Sequence, residues 1–194
     1  MSAGPFLVAA SAALGAGSAA LSWAHAIGVI RSTSSDLAGL AAGLKRVPMP
    51  ERPAALRDRA AEGSWERGFA EELVEAQDER WRVAAANDAL SELAHTLEAR
   101  AAWPNAALRI AAFGALLLGV LGFLLDHDLG WALPILAPGG VAAVLCLEAG
   151  RRARAAARAR RRDVDALVDV VLGPMAREEA EKSEARRRRR RDAW

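Results

Sequence analysis

Three histidines and one cysteine are the first places to look for chemistry in this 194-residue chain, and their placement supplies none. His25 lies in an uncharged apolar run, His95 in a charged stretch and His127 in a short acidic turn, so no two imidazoles are spaced to share a metal ion. Cys146 stands alone, which excludes an internal disulfide and a cysteine metal site. There is no Ser-His-Asp pattern, phosphate-binding loop or dinucleotide fingerprint. The expectation is a protein that is not an enzyme and carries no cofactor.

Ionisable groups inside apolar segments are costly and mark function by default. Two qualify: His25, near the inner end of the first apolar run, and Glu148, at the inner edge of the third. Both lie close enough to an edge to be merely solvated, and the two readings stand side by side. Ser11, Ser18 and Ser22 are the only hydroxyls in the apolar runs, all in the first one. Ser18, Ser22, His25, Gly119, Gly122 and Glu148 are therefore the candidates for an ion pathway or for close helix packing. Arg151, Arg152 and Arg154, with Arg186, Arg187 and Arg188, are the candidates for contact with lipid or a partner.

The elements that must position these residues follow from the segregation of charge. The composition is 53% hydrophobic and 26% charged, yet the two classes are separated along the chain rather than interleaved. Gly4 to Ile30 is 27 residues without Asp, Glu, Lys or Arg. Ile110 to Leu125 and Leu129 to Leu147 are likewise uncharged and are joined by Asp126-His127-Asp128-Leu129-Gly130. Each run can cross a hydrocarbon core of about 30 Å if its flanks help. Trp103 and Trp131 stand where indoles favour the interface, and Arg109 can snorkel. The pattern predicts an all-α, three-span helical membrane protein: a first span over 1–31, a helical cytoplasmic segment over 32–104, a transmembrane hairpin over 105–149 and a basic helical cytoplasmic tail over 150–194. A soluble Ala-rich helical bundle is the rival, and a cleaved signal peptide is the rival for the first span, although Met1 to Phe6 lacks the usual positive region.

Lys and Arg crowd the stretch from Arg31 to Arg109 and the tail but are absent from the turn at Asp126 to Gly130, which predicts the N-terminus outside and the C-terminus in the cytoplasm. In the first span, Ala9, Ala13 and Gly17 form one small-residue face and Ser11 and Gly15 another; such spacing permits close helix approach and also arises by chance in Ala-rich helices. Ser32 to Asp36 is a cap-like cluster, and Pro48, Pro50 and Pro53 predict a helical stub followed by a loop. From Ser64 to Ala102 the steps of Phe69, Leu73, Ala76, Val83, Leu90, Ala94, Leu97 and Ala101 predict one long amphipathic helix, with Arg80 and Asn87 on its stripe. Seven arginines and no acids occupy Arg151 to Arg162, in an Ala-rich frame that predicts continuation of the third helix. The stripe Val164, Leu167, Val168, Val171 and Leu172 opposes Asp163, Asp165 and Asp169 until Gly173-Pro174 ends it. Arg186 to Arg191 is six arginines in a row, either a solvated tail or a hold on anionic lipid. Nucleic-acid binding lacks aromatic interleaving or a fold motif.

The order of one span, a helical segment, a two-span hairpin and a helical tail resembles the MotA/TolQ/ExbB proton-channel family. Leu21-Ser22-Trp23-Ala24 leading to Ile30-Arg31 looks like the end of that family's first span, and Leu118-Gly119-Val120-Leu121-Gly122 resembles its second-span Leu-Gly-x-x-Gly pattern. The resemblance implies a bacterial inner membrane and a homo-oligomeric ring, typically five-fold, around a one-span partner of the TolR/ExbD/MotB type. That partner would carry the proton-binding aspartate, and proton flow would drive transport or force. A non-conducting scaffold that recruits proteins or anionic lipid is the alternative.

Overall fold

The computed structural model describes residues 3–33, 36–76, 78–126 and 129–173, and every regular element among them is helical. The helices are α1 (Gly4–Ile30), α2 (Leu37–Leu44), α3 (Arg52–Arg59), α4 (Trp65–Glu75), α5 (Glu79–Asp126) and α6 (Ala132–Leu172), with single 3-10 turns at Met49–Glu51 and Leu129–Trp131. Three of them, α1, α5 and α6, contain stretches long and apolar enough to cross a membrane. The chain divides into two compact units, one of Met1–Ile30 with Leu97–Ala157 and one of Arg31–Thr96 with Arg158–Trp194.

In the first unit, residue size rather than polarity separates inside from outside. The buried positions of α1 include Gly4, Leu7, Ser11, Gly15, Ser18, Ser22, Ala26 and Val29. Gly4, Gly15 and Ala26 lie eleven residues apart, as do Leu7, Ser18 and Val29, a period that holds one face inward along a nearly straight helix. The facing positions are Ala107, Ala111, Ala115, Gly119 and Gly122 on α5, and Ile135, Gly139, Ala142, Cys146, Ala149 and Ala153 on α6. The bulky residues point out: Phe6 is 76% exposed, Leu117 71% and Leu133 77%. Water would penalise so large an apolar surface, whereas hydrocarbon does not, and small interior residues are what bring membrane helices together.

Backbone approach in this unit is close enough to require glycine. A Cβ on Gly139 would run into the Cβ of Ala115 and stand 3.1 Å from the Ala111 carbonyl oxygen, while one on Gly15 would stand 3.1 Å from both Ala142 Cβ and the Pro138 carbonyl oxygen. Pro104 and Pro138 lie inside α5 and α6, each removing one backbone donor without ending its helix.

The second unit is built in the ordinary aqueous manner. Leu37, Leu44, Leu56, Phe69, Leu73, Val164, Leu167 and Val171 are buried, each contributing about 1.5–3 kcal/mol by leaving water. Asp36 caps α2 by accepting from Gly39 N–H at 2.9 Å, and Ser64 caps α4 by accepting from Arg67 N–H at 3.3 Å. The Arg52 guanidinium donates to the Val47 carbonyl at 3.0 Å and to the Val170 carbonyl at 2.6 Å, tying α3 to the last turn of α6. α6 ends at Leu172, and Gly173 takes φ 75°, the left-handed conformation expected after a helix.

Two expectations need correction. The single helix predicted from Ser64 to Ala102 is two helices, because Asp78 accepts from Trp81 N–H at 2.9 Å and starts α5 afresh. The interruption resets the phase, so the buried positions of α5 before the span are Ala86, Ala89, Leu93 and Leu97, while Arg80 is exposed and Val83 and Leu90 are half-buried. The loop predicted around the prolines is instead the 3-10 turn and α3, with Pro50 and Pro53 in first turns, where a missing N–H costs nothing. The predicted end at Gly173-Pro174 agrees on Gly173, whereas Pro174 lies outside the described residues, as do Ser34, Ser35, His127 and Asp128.

Candidate functional site

The candidate residues fall into a buried hydroxyl seam and a polar end of the first unit. In the seam, Ser11 Oγ donates to the Ile135 carbonyl at 2.6 Å. Ser22 Oγ lies 2.8 Å from the Ser18 carbonyl and 3.2 Å from Cys146 Sγ. Bonding to the preceding turn is how a serine satisfies itself inside a helix without water. The sequence placed Ser18 and Ser22 among possible pathway residues; in the structure Ser18 and Ser22 are buried, with Ser22 bonded to neighbouring groups of the same unit. Gly119 and Gly122 are packing positions: a Cβ on Gly119 would stand 3.3 Å from Leu136, and one on Gly122 would stand 2.7 Å from Ile135 and 3.3 Å from Leu7.

At the end of the unit where α1 terminates, the charged and aromatic candidates meet. The His25 ring stacks on Trp103 at 4.9 Å between centroids and 4° between planes. Glu148 pairs with Arg152 one turn on, at 2.8 Å, and the Arg152 guanidinium sits 5.2 Å from the Trp23 ring. Both partners of the ion pair are well exposed, 44% and 61%, so the pair is worth well under about 1 kcal/mol. Arg154 Nε donates to the Gly150 carbonyl at 3.1 Å. The two ionisable candidates are therefore separated, His25 on an indole and Glu148 on an arginine. Arginine, indole and imidazole together suit an interfacial belt that fixes depth in a bilayer.

Sequence reading missed Arg100. Its guanidinium donates to the Gly28 carbonyl at 2.9 Å, placing a cation on the open C-terminal end of α1, where the helix dipole is negative. The signal was faint, because Arg100 stands in a charged stretch and its partner is 72 residues away.

The second unit carries two hollows that the sequence did not announce. One, of about 250 Å³, is lined by Met49, Pro53, Arg82, Val83, Val171 and Leu172. The other, of about 620 Å³, is lined by Glu72, Glu75, Trp81, Ala84 and Asp88 among others. Arg151 is exposed on α6, and Arg186, Arg187 and Arg188 lie outside the described residues.

These features define a helical protein with three apolar helices fit to cross a membrane, a small-residue interior and a polar belt at one end. Comparison with known protein families, with curated proteins and with solved structures finds no match.

Proposed function

We propose that this chain is the ring-forming subunit of an inner-membrane complex driven by the proton-motive force, of the MotA/TolQ/ExbB kind, with its N-terminus outside and its C-terminus in the cytoplasm. The observation that carries this reading is the partition of α1. Ser11, Gly15, Ser18 and Ser22 turn inward, while Ala9, Ala13 and Gly17 are exposed, and a Cβ on Gly17 would meet nothing within 4 Å. An exposed small-residue face on a span allows another helix to approach closely, as a subunit of a ring requires. Bulky side chains cover much of the outer faces of the other two spans.

A one-span partner of the TolR/ExbD/MotB type supplies the proton-binding aspartate in this scheme, since this chain has no carboxylate between Gly4 and Ile30 or between Leu129 and Leu147. The arginines of the polar belt and the Lys- and Arg-bearing segments support the orientation.

A second reading has its own observation. The runs Ile110 to Leu125 and Leu129 to Leu147 contain no hydroxyl, and Ser11 and Ser22 of α1 are engaged within the unit. Both facts favour a non-conducting scaffold that recruits proteins or anionic lipid. The mass of the complex extracted in native nanodiscs separates the two. Several copies with a co-extracted one-span protein bearing a membrane aspartate, and proton flux after reconstitution, support the motor. A monomer or dimer alone overturns it.

A further inference from the structure

Trp81 is 64% exposed and forms part of the wall of the 620 Å³ hollow, whose rim carries Glu72, Glu75 and Asp88. The three carboxylates are on exposed residues, and none is joined by a salt bridge to a cation among the described residues. An indole ringed by carboxylates suits a group that can stack on a ring and donate several hydrogen bonds to oxygens at once. The planar guanidinium does both, whereas an ammonium is a compact, strongly hydrated point charge.

Where such a group would come from follows from the neighbouring hollow. Arg82 and Val83 line it together with Val171 and Leu172, so the C-terminal turn of α6 lies beside the first turn of α5, one residue from Trp81. The chain leaves α6 at Gly173, and thirteen residues further on begins the run Arg186 to Arg191. Thirteen residues span at most about 43 Å. The residues between carry Glu178, Glu179, Glu181 and Glu184 against Arg177 and Lys182, so their net charge has the sign of the rim and the arginine run is the part of the tail complementary to it.

We infer that the run Arg186 to Arg191 docks in the Trp81 hollow of its own chain, with one guanidinium over the indole and its neighbours on Glu72, Glu75 and Asp88. Self-docking withholds the arginines from an anionic bilayer surface and from other partners. The contact is therefore a switch set by salt and by competing anionic surfaces. It stands whether or not the chain belongs to a proton-driven ring, because both the hollow and the exit point of the tail lie in the second unit.

The test is trypsin cleavage of the full chain in nanodiscs of neutral phosphatidylcholine at low salt, with cleavage within Arg186 to Arg191 followed by intact mass. A tether of this length gives an effective concentration of about 1 mM, so a contact with a Kd of about 0.1 mM slows cleavage about tenfold. The triple variant Glu72→Gln/Glu75→Gln/Asp88→Asn and the variant Trp81→Ala should lose that protection, Trp81→Phe should retain part of it, and high salt should abolish it in the wild type. The Phe variant separates loss of the stacking surface from collapse of the unit. Equal cleavage of the wild type and the triple variant overturns the proposal. So does protection that appears only with phosphatidylserine and survives the substitutions, which assigns the arginines to lipid.

Discussion

Gly139 and Gly140 are consecutive residues of one helix, and the structure gives them opposite surroundings. Gly139 is buried against α5, where an added methyl collides with Ala115 and presses on the Ala111 carbonyl; Gly140 is exposed, and an added methyl meets nothing within 4 Å. Replacing either by alanine lowers the backbone entropy of the unfolded chain and improves helix propensity by the same amount, so that gain cancels in the comparison. What remains is the cost of forcing two backbones apart, about 1–3 kcal/mol for one methyl in a packed interior. In a chain of this size a difference of that order shifts the melting temperature by about 2–12 °C. Gly139→Ala should melt lower than Gly140→Ala by that margin, and Gly140→Ala should match or exceed the wild type. The assay is thermal unfolding in mild detergent, followed by near-ultraviolet circular dichroism and by retention of the folded peak in size exclusion. If the two variants melt together, or if Gly139→Ala is the more stable, the packing of α6 on α5 through glycine is wrong.

Other parts of the structure are open to equally direct checks. Gly17→Leu places a large side chain on the outer face of α1, where there is room in the single chain; it should leave the melting temperature of the isolated subunit unchanged but lower the mass of the nanodisc complex, and an unchanged complex would remove that face from the assembly. Arg100→Met keeps most of the aliphatic bulk but loses the hydrogen bond to the Gly28 carbonyl, so deuterium exchange of the amides at 26–31 should rise as the end of α1 loses about 0.5–2 kcal/mol of local stability. Asp78→Ala removes the cap that starts α5 and should cost the second unit about 1 kcal/mol, seen as faster exchange at residues 79–83 with the first unit unaffected.

What could be read from residue order alone was the position of the apolar helices. The uncharged run from Gly4 to Ile30 coincides with α1, whose last residue is followed directly by the charged Arg31, a group costly to hold in hydrocarbon. The arginine-rich stretch after Glu148 continues α6 as its alanine content implies. The phase of α5 before its span was hidden, because one capping hydrogen bond at Asp78 outweighs a periodic pattern that reads equally well straight through. Pro50 and Pro53 read as breakers where they are helix starters, a distinction that depends on which backbone donors are already unneeded. Of the candidate site, Ser22 and Cys146 were named separately; their contact across 124 residues is set by packing that no local spacing reveals.

The two units obey different rules because their side chains meet different surroundings. In the second, Leu, Phe and Val mostly turn inward and the carboxylates outward, as water demands, with Glu66 the buried exception among the described residues. In the first, most of the large apolar residues turn outward and the interior is mainly Gly, Ala, Ser and Cys, with Leu7, Val29 and Ile135 among the few bulky side chains inside. Only the reversal makes the serines consequential: a hydroxyl at a lipid-facing position would meet hydrocarbon, whereas one turned inward finds the Ile135 carbonyl or the Cys146 sulfur and holds two helices at a distance that larger residues would not allow. Substituting Ser11 by leucine would therefore cost more than its hydrogen bond, because the side chain that replaces it has no space between α1 and α6, while the same change at the exposed Ala9 would add only lipid contact.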